Sequence, residues 1–339
     1  MAQRLSGMTI LAALLTAACQ SSPSHDAAIE RVGFTFIGGQ NIERPATGIL
    51  GDTADQIRAY QIAVLSLLPA VRVPKIPVVM LPGFGIAADT YLETPDGRPG
   101  WAMDFVRAGH PVYVVEPSHT TRSGIDTGFY LKPGTEGKAH QLFSWGATQV
   151  WTRWGLGPEY GVPFANSRFP VQSYDKVVSA FTAAEVDRIA GERNITYQLA
   201  SNSAAITELL ERIGPVVLLA HSASGVAAFE VALARPDLVH AVIAVEPVGC
   251  PTAKADTLRK VAILSIFGDH MEVRPQMPPR RDECRQAVAA AAARGAVAAL
   301  YDLPAMGVTG NSHLMMFEDN SADLAAVMLD WLHNKVVTP

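Results

Sequence analysis

Val216-Val217-Leu218-Leu219-Ala220 is a five-residue apolar run that passes straight into His221-Ser222-Ala223-Ser224-Gly225 and then into Val226-Ala227-Ala228-Phe229, a helix-compatible segment. An apolar run with no polar alternation reads as a strand buried on both faces. Strand, sharp turn and helix with a serine at the apex form a nucleophile elbow. The turn strains the serine backbone and demands small residues where strand and helix approach. Ala220, Ser224 and Gly225 meet that demand, so the usual G-x-S-x-G stands here as A-H-S-A-S-G. The competing reading is an ordinary serine in a tight turn, and the flanking strand and helix weigh against it. Ser224, the neighbouring hydroxyl, falls at the helix start and reads as packing or capping.

The same texture recurs on both sides of the elbow. Val78-Val79-Met80-Leu81, Val112-Tyr113-Val114-Val115, Ala241-Val242-Ile243-Ala244-Val245 and Ala262-Ile263-Leu264-Ser265-Ile266-Phe267 read as further buried strands, with helix-like segments between them. Upstream, RVGFTFIGG at residues 31–39 predicts a strand ending in a turn at the Gly pair, and a second strand fits residues 56–68. Strands alternating with helices imply a mostly parallel sheet covered on both faces, and with the elbow this predicts the α/β-hydrolase fold. Residues 125–203 break the rhythm: they are rich in aromatic residues, Gly and Pro, without a clear buried-strand signal. They read as a cap inserted into a core formed by residues 31–124 and 204–339. Most of the cap's aromatics should form its own small core.

A serine hydroxyl needs a base, which in this fold lies on a loop after the last strand. His313, in the turn-rich Gly310-Asn311-Ser312-His313, fits, whereas His333 lies on an apparently amphipathic C-terminal helix. The acid that accepts the other imidazole N–H has two candidates, Glu246 at the end of one strand and Asp269 after the next. Position alone favours Asp269. An oxyanion needs two N–H donors, for which Ala223 and Phe84 in Leu81-Pro82-Gly83-Phe84-Gly85 are the candidates. Phe84, His221, Trp151 and Trp154 are the candidates to line a substrate pocket. His221, beside the nucleophile, also has a purely structural reading.

Thr90-Tyr91-Leu92-Glu93-Thr94-Pro95-Asp96-Gly97-Arg98-Pro99-Gly100-Trp101, together with Phe105, Gly109, Tyr113-Val114-Val115 and Arg122-Ser123, resembles an α/β-hydrolase family of bacterial esterases first described for cleaving esters on halogenated cyclic compounds. The likeness runs over residues 34–320. It implies a Ser-Glu-His triad whose Glu ends the strand after the nucleophile, which falls on Glu246. It also implies a His in a G-N-S-H-x-M-M motif, which falls on His313. On this resemblance Glu246 takes precedence over Asp269. Pro82 and Phe84 depart from the family's oxyanion loop, which begins His-Gly and can carry Cys where Phe84 stands.

The chain has 339 residues, with 27 basic and 32 acidic side chains and a net charge of −5, scattered without long like-charge blocks. Nothing there offers a footprint for nucleic acid. The start MAQRLSGMTILAALLTAACQSS places an Arg before a short apolar run, as an export signal over residues 1–18 does. The run is shorter than the roughly 20 residues of a membrane span. Leu15-Thr16-Ala17-Ala18-Cys19 resembles a bacterial lipoprotein box, which would lipidate Cys19 and anchor the protein to a membrane. Ordinary signal-peptidase cleavage near Ala18 is the alternative. Residues 19–30 read as a tether. Outside the reducing cytosol, at the bacterial envelope or in the periplasm, a disulfide between Cys250 and Cys284 is permitted. No metal or organic cofactor is expected, because the histidines are dispersed and neither H-E-x-x-H nor paired C-x-x-C occurs. The expected function is hydrolysis of a small-molecule carboxylic ester through an acyl-enzyme. A lactonase, amidase or thioesterase on the same machinery, or a silent binding protein of this fold, are the alternatives.

Overall fold

The computed structural model of the protein describes residues 28–48, 51–131, 140–189, 192–194, 196–252 and 255–336. The expected export signal, Cys19 and nearly all of the tether lie outside the described residues. The chain begins with β1 (Ile29–Arg44), β2 (Asp55–Pro69), β3 (Val78–Leu81), α1 (Trp101–Arg107) and β4 (Val112–Glu116). It then passes through α2 (Thr127–Leu131), β5 (His140–Phe143), α3 (Ala147–Arg153), α4 (Tyr174–Ser179), β6 (Ala184–Ile189) and β7 (Glu192–Asn194). After α5 (Thr196–Ile213) come β8 (Val216–His221), α6 (Ser224–Ala234), β9 (Val239–Val245), α7 (Ala255–Leu258) and β10 (Ala262–Phe267). The chain ends with α8 (Met277–Ala292), β11 (Ala298–Asp302) and α9 (Ser321–Trp331).

Eight strands form one sheet in the order β1-β2-β4-β3-β8-β9-β10-β11. It is antiparallel where β1 meets β2 and β2 meets β4, and parallel from β4 to β11. Side chains alternate across a strand, so an uninterrupted apolar strand feeds two cores at once. Val78, Met80, Val217 and Leu219 pack with Trp101 and Phe105 of α1 and with Leu324, Met328 and Trp331 of α9. Val79, Leu81, Leu218 and Ala220 point the other way, into a cluster with Ile206 and Leu209 of α5, Ala228 and Phe229 of α6 and Cys284 and Ala287 of α8. This mostly parallel sheet, with helices on both faces and an elbow at the end of β8, is the α/β-hydrolase fold.

Three local expectations are corrected. The Gly38-Gly39 pair is not a turn, since β1 continues to Arg44 in register with β2. Both glycines take positive φ, 71° and 78°, as does Tyr60 on the facing strand at 64°, so the two strands bend together. A Cβ on Gly39 would stand 2.8 Å from the Ala59 carbonyl oxygen, which explains the glycine. Within residues 125–203 there is a small antiparallel sheet, β5-β6-β7, whose strands carry polar residues such as Gln141, Glu185, Asp187 and Arg193 and so do not show as apolar runs. Lastly, α5 starts at Thr196, before the expected return to the core at residue 204.

Residues 125–203 are bound to the segments that follow β4 and β11 at several backbone points. The Thr121 N–H donates to Ala183 O, Glu185 N–H to His119 O, and Arg168 N–H to Gly310 O. Cys250, after β9, is disulfide-bonded to Cys284 of α8, with Cα atoms 4.8 Å apart. Among the described residues no helix is long and apolar enough to cross a membrane.

Candidate active site

Ser222 stands between β8 and α6 with φ 54°, in the left-handed region that a non-glycine residue enters only when its surroundings hold it there. The holding contacts are visible. Ser222 N–H donates to Val245 O at 3.0 Å, and its carbonyl accepts from Gly225 N–H at 3.1 Å and Val248 N–H at 3.0 Å. At Gly225 a Cβ would meet Pro247 Cβ at 2.6 Å, which is why the helix start must be small there. Ser224 Oγ donates to the Pro82 carbonyl, tying the elbow to the loop after β3.

His313 is nearly buried, and its Nδ1 lies 2.6 Å from Glu246 Oε2. A carboxylate only accepts, so Nδ1 carries the proton and Nε2 is left as the basic nitrogen. The imidazole is fixed from its backbone as well, because His313 N–H donates to Trp154 O at 2.8 Å. Behind it, His221 Nε2 donates to His313 O at 2.9 Å, with the rings 4.4 Å apart. His221 Nδ1 is buried without a partner and would lie 2.7 Å from a Cβ on Gly83, so glycine is required at that position. Burial holds His221 well below the usual histidine range.

Glu246, at φ 42°, is fully buried. Its Oε1 accepts from Gly268 N–H at 2.8 Å and from Arg274 Nη2 at 3.0 Å, and its Oε2 accepts from Arg274 Nη1 at 2.6 Å. Burial pushes this carboxyl up, but the Arg274 charge and the His313 and Arg274 hydrogen bonds outweigh it and hold the group at about 2. Arg274 is itself wholly buried and was missed in the sequence, where nothing in Arg274-Pro275 marks a partner for an acid 28 residues earlier. Asp269 faces elsewhere. It accepts from His270 N–H and from Gly310 N–H, both at 2.8 Å, and so braces the loop that leads to His313. Glu318, also missed, accepts from Ser312 N–H and Asn311 Nδ2 at 2.5 Å each, and burial pushes its carboxyl up to about 7.

Ser222, Ala223, Phe84 and His313 open on one cavity of about 300 Å³, together with Trp145, Trp154, Val248, Met277, Arg153, Gln276 and Arg280. Among the described residues the backbone N–H groups of Phe84 and Ala223 have no acceptor. Of the four expected pocket residues, Phe84 and Trp154 are on its wall. Trp151 is not: its indole N–H points to Val162 O at 3.3 Å and its ring is packed edge-on against Tyr160 and Tyr174. His221 is not on the wall either, being covered by His313. Trp145 takes the place expected of Trp151, donating to Phe84 O at 2.7 Å and packing edge-on against both Phe84 and Trp154. His333 stacks on His110, away from this cavity. Among the described residues no group of three His, Cys, Asp or Glu side chains could hold a metal ion.

No family model matches the chain. A solved structure described as a novel bacterial esterase superposes with a TM-score of 0.83 at 29% identity, covering 91% of this chain and 97% of that one. A fungal protein named "Probable secreted lipase phiG" is 27% identical over 96% of this chain and 97% of its own length. Both are similar to the chain over nearly its whole length, inserted segment included.

Proposed function

We propose that the chain is a serine hydrolase of carboxylic esters, with Ser222 as nucleophile, His313 as base and Glu246 as the acid that orients it. The observation that carries this reading is a convergence on one cavity. A serine in a strained elbow, an imidazole whose Nδ1 is bound by a buried carboxylate, and two residues whose backbone N–H groups have no acceptor among the described residues all line the same cavity. The likeness to an esterase and to a protein named as a lipase supports the ester as substrate.

The geometry supports the following chemistry. His313 Nε2 takes the Ser222 Oγ proton as Oγ bonds to the ester carbonyl carbon. The Phe84 and Ala223 N–H groups receive the negative charge that develops on the carbonyl oxygen. Glu246 stabilises the imidazolium, which then gives its proton to the departing alkoxide. A water molecule deprotonated by His313 cleaves the acyl-enzyme and releases the carboxylic acid. Export is part of the proposal, supported by the Cys250–Cys284 disulfide and by the relative named as secreted. Whether Cys19 is then lipidated is read directly from the mass of the mature N-terminus.

Ser222→Ala is the test. It should lower ester turnover by about 10³-fold or more and abolish labelling by a fluorophosphonate probe, with the circular dichroism spectrum unchanged. Full labelling and turnover in Ser222→Ala, with loss in Ser224→Ala, would overturn the assignment. A screen of acyl length and alcohol type, with esters of halogenated cyclic alcohols at one end, defines the range.

A further inference from the structure

Two cationic side chains on the cavity wall have no use in the chemistry above. Arg153, at the end of α3, lies over the Trp145 ring at 5.9 Å, and Arg280 stands in the first turn of α8. Arg98, Arg122, Arg168, Arg235 and Arg274 each have a carboxylate within 4.0 Å. Neither Arg153 nor Arg280 has one among the described residues, and the contact that Arg280 makes is to Met277 Sδ at 3.8 Å. Glu246 and Glu283 act on Arg280 only through space, while Arg153 repels it. The α8 backbone adds little of its own, because Pro278 and Pro279 have no N–H and the Met277 N–H is taken by Arg274 O at 2.8 Å.

Two guanidinium groups that repel each other beside a partly apolar cavity are stabilised by an anion placed between them. Five N–H donors on each offer carboxylate-matched geometry, and among the described residues no protein carboxylate lies within 4.0 Å of either. Beside them, Phe84, Trp145, Trp154 and Val248 give the same cavity an apolar surface, which suits a hydrocarbon body. We propose that the enzyme's substrate is an ester that also carries a carboxylate, held by Arg153 and Arg280 while its ester carbonyl lies at Ser222. This rests on the reading of Ser222, His313 and Glu246 as an ester-cleaving triad.

The test uses the full chain and matched mono- and dimethyl esters of linear dicarboxylic acids from succinate to sebacate, with methanol release measured at neutral pH. For at least one chain length the monoester should exceed its diester in kcat/KM by about tenfold per ester group, the scale of one charge-assisted contact. That preference should shrink as ionic strength is raised, because part of the attraction is screened. Arg280→Gln and Arg153→Gln should raise KM for the monoester more than for the diester, and the double variant should bring the ratio to about one. The salt series on the unaltered enzyme stands even if a variant fails to fold. Diesters hydrolysed as well as or better than monoesters at every length and at low salt would overturn the anion site. So would equal losses on both substrates in the variants. If either of these results is found while diesters are cleaved and Ser222 takes a fluorophosphonate, only the anion site has failed. If neither ester is cleaved and Ser222 stays unlabelled, the esterase reading itself has failed and the anion site falls with it.

Discussion

Glu246 is shared between two side chains with different duties: Arg274 binds both of its oxygens and keeps it ionised, while His313 donates from Nδ1 to Oε2. Glu246→Gln should lower kcat by roughly 10³ to 10⁴ with little change in KM, as acid-to-amide changes do in such triads. Because the change also strips the buried Arg274 of its counter-charge, the rate is read on protein shown to be folded. Asp269→Asn should cost far less, since that carboxylate binds only His270 N–H, Gly310 N–H and Asn166. The reverse pattern would move the acid to Asp269. Burial lowers the His313 pKa below 6.5, with Arg274 and Arg280 adding to that and Glu246 opposing it. The neutral base therefore persists into mildly acid solution, and the acid limb of kcat/KM should have its midpoint below 6.5. A midpoint above about 7 would contradict this, since it needs an imidazole favoured in its charged form. At this scale Ser222, His313 and their loops were legible because an elbow and a late turn have local signatures. Arg274 and Glu318 were not, because what identifies each is a partner met only after folding. Between Glu246 and Asp269 spacing alone pointed to the latter, and only the likeness to a family pointed to Glu246.

The buried strands were read from their apolar runs because each feeds cores on both faces and so tolerates no polar alternation. β1 was cut short at Gly38-Gly39 because a glycine pair signals a turn, and the sequence carries no sign that Tyr60 opposite would bend with it. The three strands within residues 125–203 escaped notice because polar residues interrupt them, and Trp151 was misplaced because aromatics close together in and around one helix can face a core or a cavity equally well. The helix α8 concentrates much of what matters: it follows Arg274, carries Arg280 and is bonded through Cys284 to the loop after β9. Closing a loop of sequence separation 34 stabilises the fold by about 4 kcal/mol in the chain-entropy view. Cys250→Ala/Cys284→Ala should accordingly melt several degrees lower by calorimetry. Denatured but unreduced protein should resist alkylation at both positions, and two freely alkylated thiols would refute the bond.

Across the whole molecule, the parallel half of the sheet places Ser222, Glu246 and His313 at one edge by ending β8, β9 and the segment beyond β11 at the same level. Residues 125–203 contribute Trp145, Arg153 and Trp154 to the lining of the same cavity. In the proposed reading the acylation of Ser222 is the central step. Intact-mass spectrometry during turnover of a p-nitrophenyl ester tests this most directly. A transient mass increase equal to one acyl group, mapped to the peptide containing Ser222 and absent in Ser222→Ala, is the expected result. Turnover with no acyl adduct, or an adduct that persists in Ser222→Ala, would contradict it.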